Sequence, residues 1–179
     1  MSRSIRFGAL GAAACLFLAF SPASAHVTLE AQEASINSTY KAVMRVPHGC
    51  EGAATLKVRV RIPEGVIAVK PMPKAGWVLE TVKGPYARVV DDHGNPVAEG
   101  IKEVSWTGRL LNEHYDEFVF RARLTDSLAA GTIIHFPVVQ ECEGGKVDRW
   151  IEIPAAGKNA DDYKYPAPGL KLVPARSAR

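Results

Sequence analysis

The residue best placed for chemistry is His26, which directly follows a segment with the layout of a cleavable leader. If the chain is cut between Ala25 and His26, the new first residue is a histidine with a free amine. That amine and the Nδ1 atom of the same imidazole can close a chelate ring around one metal ion. An internal histidine cannot do so, because its backbone nitrogen belongs to an amide. The boundary therefore predicts a metal site that is formed when the leader is cleaved. The alternative is an N-terminus that happens to begin with histidine and is disordered in solvent.

The leader itself is read from residues 1–25. Arg3 and Arg6 supply a positive start, an apolar run covers about 7–20, and the small residues at 23–25 fit a cleavage site. The apolar run is shorter than the roughly 20 residues that a membrane-spanning helix needs. The sequence thus predicts a signal peptide that is removed, a periplasmic or secreted protein, and no transmembrane anchor of its own.

Removal of the leader reduces the number of cysteines from three to two. Cys15 leaves with it, although lipoprotein processing at Cys15 is a minor alternative, and Cys50 and Cys142 remain. Two cysteines in an oxidising compartment most often pair. The alternative is a pair of soft ligands for Cu(I). A disulfide is favoured, since no C-x-x-C motif or methionine-rich stretch accompanies either cysteine.

Charge and motif content exclude several classes of function. The leader holds two of the 22 basic residues and none of the 19 acidic ones, so the mature net charge is +1. No basic stripe or arginine-rich arm is present, which argues against nucleic-acid binding. No G-x-S-x-G, H-E-x-x-H or phosphate-cradling glycine loop occurs. We therefore expect a protein that is not an enzyme.

The elements that must position His26 are short strands separated by dense Pro and Gly punctuation. Leu56, Val58, Val60 and Ile62 alternate with basic residues, as in a strand with one buried and one exposed face. This pattern predicts an all-β, antiparallel β-sandwich in one domain, residues 26–156, followed by a tail, 157–179, that drapes over it or stays mobile. The predicted strands are Tyr40–Val46, Thr55–Ile62, Val66–Val69, Val78–Val82, Ala87–Val90, Ile101–Trp106, Glu117–Leu124, Thr132–Val139 and Arg149–Ile153.

Several segments together resemble a known family. They are HVTLEAQEA from His26 onward, then KPMPKAGWVLET, EVSWTG, YDEFVF and FPVVQECEGGKVDRWIEIP, and they span most of the mature chain. In order and spacing this set resembles the YcnI-like copper-binding domain family. The resemblance implies an exported immunoglobulin-like or fibronectin-like β-sandwich.

The resemblance also implies a Cu(II) site of the mono-histidine-brace type. Carried onto this chain, the brace falls on His26, the neighbouring tryptophan on Trp150, and the carboxylate on Glu117. It implies a role in copper homeostasis as a metallochaperone or buffer. The implied partners are the copper ion and other periplasmic copper chaperones or a membrane copper transporter, and a homodimer stays open.

Each assignment has an alternative. Glu117 is otherwise a solvated carboxylate, and Trp150 is otherwise a core residue of the sandwich. The other functions considered are a copper-dependent oxidative enzyme, disfavoured because no comparably placed second histidine is evident, and a metal-free adhesion or assembly module. The competing carboxylates are Glu30, Glu33, Glu51 and Glu113. Among the remaining histidines, His48 and His114 are reserve ligands, His135 is expected to be packed, and His93 is expected in a hairpin turn.

Overall fold

The computed structural model describes residues 26–175, and the predicted leader, 1–25, together with Cys15, lies outside the described residues. The described chain is built from twelve strands. In chain order these are β1 (Thr28–Leu29), β2 (Glu33–Ser35), β3 (Ser38–Val46), β4 (Thr55–Arg61), β5 (Val66–Pro71), β6 (Val78–Asp92), β7 (Asn95–Leu110), β8 (Asp116–Leu124), β9 (Ile133–His135), β10 (Val138–Cys142), β11 (Val147–Trp150) and β12 (Gly169–Val173). Two 3-10 turns, Glu143–Gly145 and Ala160–Asp162, interrupt the strands.

Within residues 26–175 the strands form three sheets. The first sheet has the order β1-β3-β8-β5, the second β11-β10-β4-β7-β6, and the third β2-β12-β9. The first two sheets pack their apolar faces together around the fully buried Trp106, Phe118, Phe120 and Phe136. All pairings in these two sheets are antiparallel, which confirms the predicted all-β sandwich.

The longest element is the β6–β7 hairpin. Its turn is formed by His93 and Gly94, whose φ angles of 56° and 84° fit the two-residue hairpin turn that matches strand twist. The predicted turn at His93 is confirmed, whereas Val78–Val82 and Ala87–Val90 are parts of one strand. Near its tip the hairpin packs Tyr86 and Val90 on Ile67 of β5, and so covers the edge of the first sheet.

A single predicted strand, Thr132–Val139, is in fact two. Proline has no N–H to donate to a ladder, and Pro137 separates β9, which joins the third sheet, from β10, which joins the second. The chain therefore changes sheets at this point. Because apolar residues lie on both sides of Pro137, the sequence analysis predicted one continuous strand there.

The predicted boundary at residue 156 also needs correction. Residues 169–173 do not form a separate tail but a strand, β12, that pairs with β2 and β9. Leu170 and Leu172 are fully buried in the core, while Lys171 between them is exposed. The alternation of apolar residues in GLKLV is typical of a strand, although the segment around it is rich in Pro, Lys and Ala.

The predicted disulfide is confirmed. Cys50, just before β4, is bonded to Cys142 at the end of β10, and the two are 92 residues apart. The bond lies in the interior, because both cysteines are buried. Across residues 26–175, no helix has the length and apolar character to cross a membrane.

Candidate metal centre at His26

His26 lines a cleft. The chain enters β1 two residues later, and β1 pairs with β3 through Thr28 and Leu29. The His26 side chain is 8% exposed, and its Nδ1 atom lies 3.8 Å from Oδ1 of Asp161. Its Nε2 atom is buried and has no hydrogen-bond partner among the described residues. The ring is thus held in place with one nitrogen turned toward a carboxylate.

The indole of Trp150 packs against the imidazole of His26. The two rings meet edge to face, with centroids 5.9 Å apart, and His48 meets the same indole at 6.3 Å. Tyr165 packs on Trp150 as well, at 5.2 Å. Trp150 is buried and belongs to the core cluster, so the indole serves both packing and the surroundings of His26.

Gln140 fixes the position of Trp150. Its side chain is fully buried, and its Oε1 accepts a hydrogen bond of 3.1 Å from Nε1 of Trp150. Its Nε2 donates to the carbonyl of His48 at 2.6 Å and to Oγ1 of Thr55 at 2.7 Å. One amide therefore joins the indole to the loop that carries His48.

Replacing Gln140 with leucine is expected to lower the free energy of unfolding by about 3 kcal/mol. The variant keeps a side chain of similar size but removes the acceptor of the buried indole N–H of Trp150 and the amide that donates to the carbonyl of His48. Urea unfolding measures the loss. Gln32→Leu is the matched control, because Gln32 is exposed, and a loss as large in that variant would contradict the role given to Gln140.

The cleft beside His26 has a volume of about 1030 Å³. Its walls come from the start of the described chain, from β9 and β12, and from the loop before Asp161. His135 lines the same cleft, and burial lowers the pKa of its imidazole below the usual value, which favours the neutral ring. On β11, two residues before Trp150, burial raises the pKa of the Asp148 carboxyl, and a hydrogen bond with Tyr165 opposes that shift.

The distance between His26 and Asp161 is one that a single metal ion could bridge. Metal bonds to nitrogen and oxygen of about 2 Å place two ligand atoms between about 2.8 and 4 Å apart, depending on the angle between them. The observed 3.8 Å from Nδ1 to Oδ1 falls within that range. Among the described residues, no three His, Cys, Asp or Glu side chains are grouped to hold a metal. A site here therefore needs the amine of His26 as a further ligand.

Glu117 is not brought to this cleft. It lies on the first sheet opposite Arg45, whose Nε is 3.5 Å from Oε1 of Glu117, and the hydroxyl of Tyr115 donates to the same carboxylate. The residues that line the cleft do not include Glu117. The carboxylate that lies beside the His26 ring in the structure belongs to Asp161.

The other candidate carboxylates have contacts of their own. Glu30 pairs with Arg45 at 3.1 Å and Glu33 with Lys171 at 3.2 Å. Glu51 lies 4.0 Å from Lys146. None of these three lines the cleft.

Two residues of the site escaped the sequence analysis. Asp161 belongs to a 3-10 turn 135 residues after His26, in a segment without any periodic pattern. Gln140 lies on β10 and within FPVVQECEGGKVDRWIEIP, one of the segments that carry the family resemblance, but it was not predicted to support the site. A polar residue at a core position of a strand requires buried partners, and those partners here are Trp150, His48 and Thr55.

Comparison with known proteins places the chain in a wider family. A family model described as a domain of unknown function, DUF1775, matches residues 26–172. Among solved structures, the chain is similar to an uncharacterized protein from Nocardia farcinica whose crystal structure reveals an immunoglobulin-like fold. The two share 27% identity with a TM-score of 0.59, over 83% of this chain and 98% of that one. No curated protein matches. The sandwich is thus immunoglobulin-like.

Proposed function

The chain belongs to the DUF1775 family, and from this premise we propose that it is an exported copper-binding protein of the YcnI-like type. It holds Cu(II) through His26 after cleavage has freed the amine of that residue. It acts in copper homeostasis, in the periplasm or outside the cell, as a metallochaperone or buffer. The proposal assigns it no catalytic step.

The observation that carries the proposal is the orientation of the His26 ring. Nδ1 is the nitrogen that can chelate together with the amine of the same residue, and it is Nδ1 that lies 3.8 Å from the carboxylate of Asp161. Asp161 itself is 96% exposed, so its side chain can adjust to an ion at low cost. The amine, with an ordinary pKa near 8, loses its proton readily when copper competes for it.

The surroundings of His26 suit a site that holds an ion and releases it. The ring is packed edge-on against Trp150, and the indole shields one side of the imidazole from water. The other side opens to the wide cleft and to an exposed carboxylate. A partner can therefore reach the ion through the cleft, as a chaperone or buffer requires.

Titrating the exported protein with Cu(II) is expected to quench tryptophan fluorescence with saturation at one equivalent. Cu(II) quenches nearby fluorophores, and the ring of Trp150 is 5.9 Å from that of His26. In Trp150→Phe most of the quenching should disappear. In Trp77→Phe it should persist, because Trp77 packs on Phe118 in the first sheet. Electron paramagnetic resonance of the same sample counts the nitrogen donors, for which we expect two.

The matched variant for this titration is His26→Ala. It keeps a free amine at the same position but has no imidazole, so saturable quenching should be lost. Saturable binding that survives in His26→Ala would contradict the proposal. The absence of saturable Cu(II) binding by the wild type would favour the metal-free adhesion or assembly module. Oxygen-dependent turnover by the copper-loaded protein with a reductant would instead favour the oxidative enzyme.

A further inference from the structure

A row of positive charges crosses the exposed face of the first sheet. In the register of β3, β8 and β5, Lys41 lies opposite Arg121, and Arg121 lies opposite Lys70. All three side chains are exposed, while Ala42 and Phe120 beside them point into the core. Directly opposite residues bring their Cβ atoms to about 5 Å, and like charges in such positions destabilise a sheet.

A β-bulge creates one of these contacts. The pairs Val66–Leu124 and Ile67–Arg123 would continue in regular register to place Lys70 opposite Phe120, but the register shifts by one residue before Lys70. Ala68, within the bulge, has a φ of 50°, a left-handed conformation that costs a non-glycine residue about 1 kcal/mol. The strained bulge at Ala68 is thus what places Lys70 opposite Arg121.

The acidic group nearby does not neutralise this row. Asp92, delivered by the tip of the β6–β7 hairpin, lies 3.2 Å from Nε of Arg123. Arg123 also bonds Asn37 at 2.7 Å and His93 at 2.8 Å. The charge of Asp92 is therefore already paired with that of Arg123.

The three cations themselves have few contacts. Arg121 makes one long hydrogen bond, 3.5 Å, to Oγ1 of Thr39. Lys41 and Lys70 have no ion-pair or hydrogen-bond partner among the described residues. Their charges are therefore available to a ligand.

The second sheet shows the opposite arrangement and serves as a reference. On β4, Lys57 lies 3.3 Å from Glu80, and Arg59 lies 3.0 Å from Glu141 and 3.9 Å from Glu103. There, neighbouring cations are balanced by acids on β6, β7 and β10 of the same sheet. The unbalanced row on the first sheet is thus not a general property of the exposed faces.

We propose that Lys41, Lys70 and Arg121 form a binding site for a phosphate group. The site is a pocket of about 220 Å³ whose lining includes Lys70, Arg121 and the hydroxyl-bearing Thr39, and Lys41 lies beside it, opposite Arg121. Asp92, which is paired with Arg123, lines the same pocket, as do Arg123 and His93. A phosphate carries up to two negative charges and three or more acceptor oxygens, and a guanidinium can bind two of them at once. The small volume fits a single phosphate and not a nucleic-acid strand. This site is separate from the copper proposal and does not depend on it.

Nuclear magnetic resonance of the metal-free exported protein, titrated with inorganic phosphate at constant ionic strength, tests the proposal. We expect saturable shifts confined to amides of β3, β5 and β8. The double variant Lys41→Gln/Arg121→Gln should bind about tenfold more weakly or worse. The control Lys57→Gln/Arg59→Gln removes the same charge from the second sheet and should bind as the wild type does.

Thermal unfolding gives a second measurement. Without phosphate at low salt, Lys41→Gln/Arg121→Gln should melt at a higher temperature than the wild type, since repulsion is removed. Phosphate should raise the melting temperature of the wild type and raise that of this variant less at the same concentration. Equal weakening by both double variants, or no saturation at all, would overturn the proposal.

Vesicles separate the two sources of a phosphate group. We expect no binding to phosphatidylcholine vesicles, with or without phosphatidylglycerol, that depends on Lys41 and Arg121. Vesicle binding that requires these residues, in the absence of binding to free phosphate, would overturn the assignment to a small anion and make the surface a membrane contact.

Discussion

Adding one alanine ahead of His26 in the exported protein is expected to weaken Cu(II) binding by about 100-fold or more. The added residue converts the amine of His26 into an amide, which can bind the metal only after it loses its N–H proton. The new amine belongs to a different residue and cannot close the same ring with Nδ1. The amine and imidazole of one residue act at a high effective concentration, and that advantage is lost. Isothermal titration with a competing chelator measures the change.

The control for this variant adds the same alanine to the C-terminal end of the chain. That addition leaves the amine of His26 free, so the affinity should match that of the wild type. A second comparison is Asp161→Asn, which keeps the size of the side chain but removes its charge from the neighbourhood of Nδ1. An N-terminally extended protein that binds Cu(II) as tightly as the wild type would refute the role of the amine.

The strands were largely readable in the sequence because burial on one face imposes a period of two. On β8, Phe118, Phe120, Ala122 and Leu124 alternate as predicted, and all are buried. The period says nothing about where a strand changes sheets, so the break at Pro137 was missed. It also says little about short strands in a polar composition, such as Gly169–Val173.

The candidate site was less predictable because its parts come from distant segments. The pairing of His26 with Trp150 came from the resemblance to a family, and the structure places their rings together. Asp161 and Gln140 act only through tertiary contacts, and no local pattern signals either of them. Glu117 illustrates the converse, because its position on an exposed strand face also suits the ion pair with Arg45 that the structure shows.

The disulfide carries the second large expected effect. Replacing both Cys50 and Cys142 with alanine is expected to lower the free energy of unfolding by about 4 kcal/mol, because the bond closes a loop spanning 92 residues and so restricts the unfolded chain. Urea unfolding of the variant and the wild type measures the loss. A loss below about 1 kcal/mol would contradict this view of the bond.

The same double variant separates stability from binding. Cys50 lies two residues after His48, and Cys142 two residues after Gln140, so the bond supports the face of Trp150 that is turned toward His48. His26 reaches the indole from β1, which pairs with β3 in the other sheet. Under conditions where the variant is folded, we therefore expect its Cu(II) affinity to stay within about tenfold of the wild type. A larger loss would mean that the position of Trp150 depends on the disulfide, and that the redox state of the bond controls the copper site.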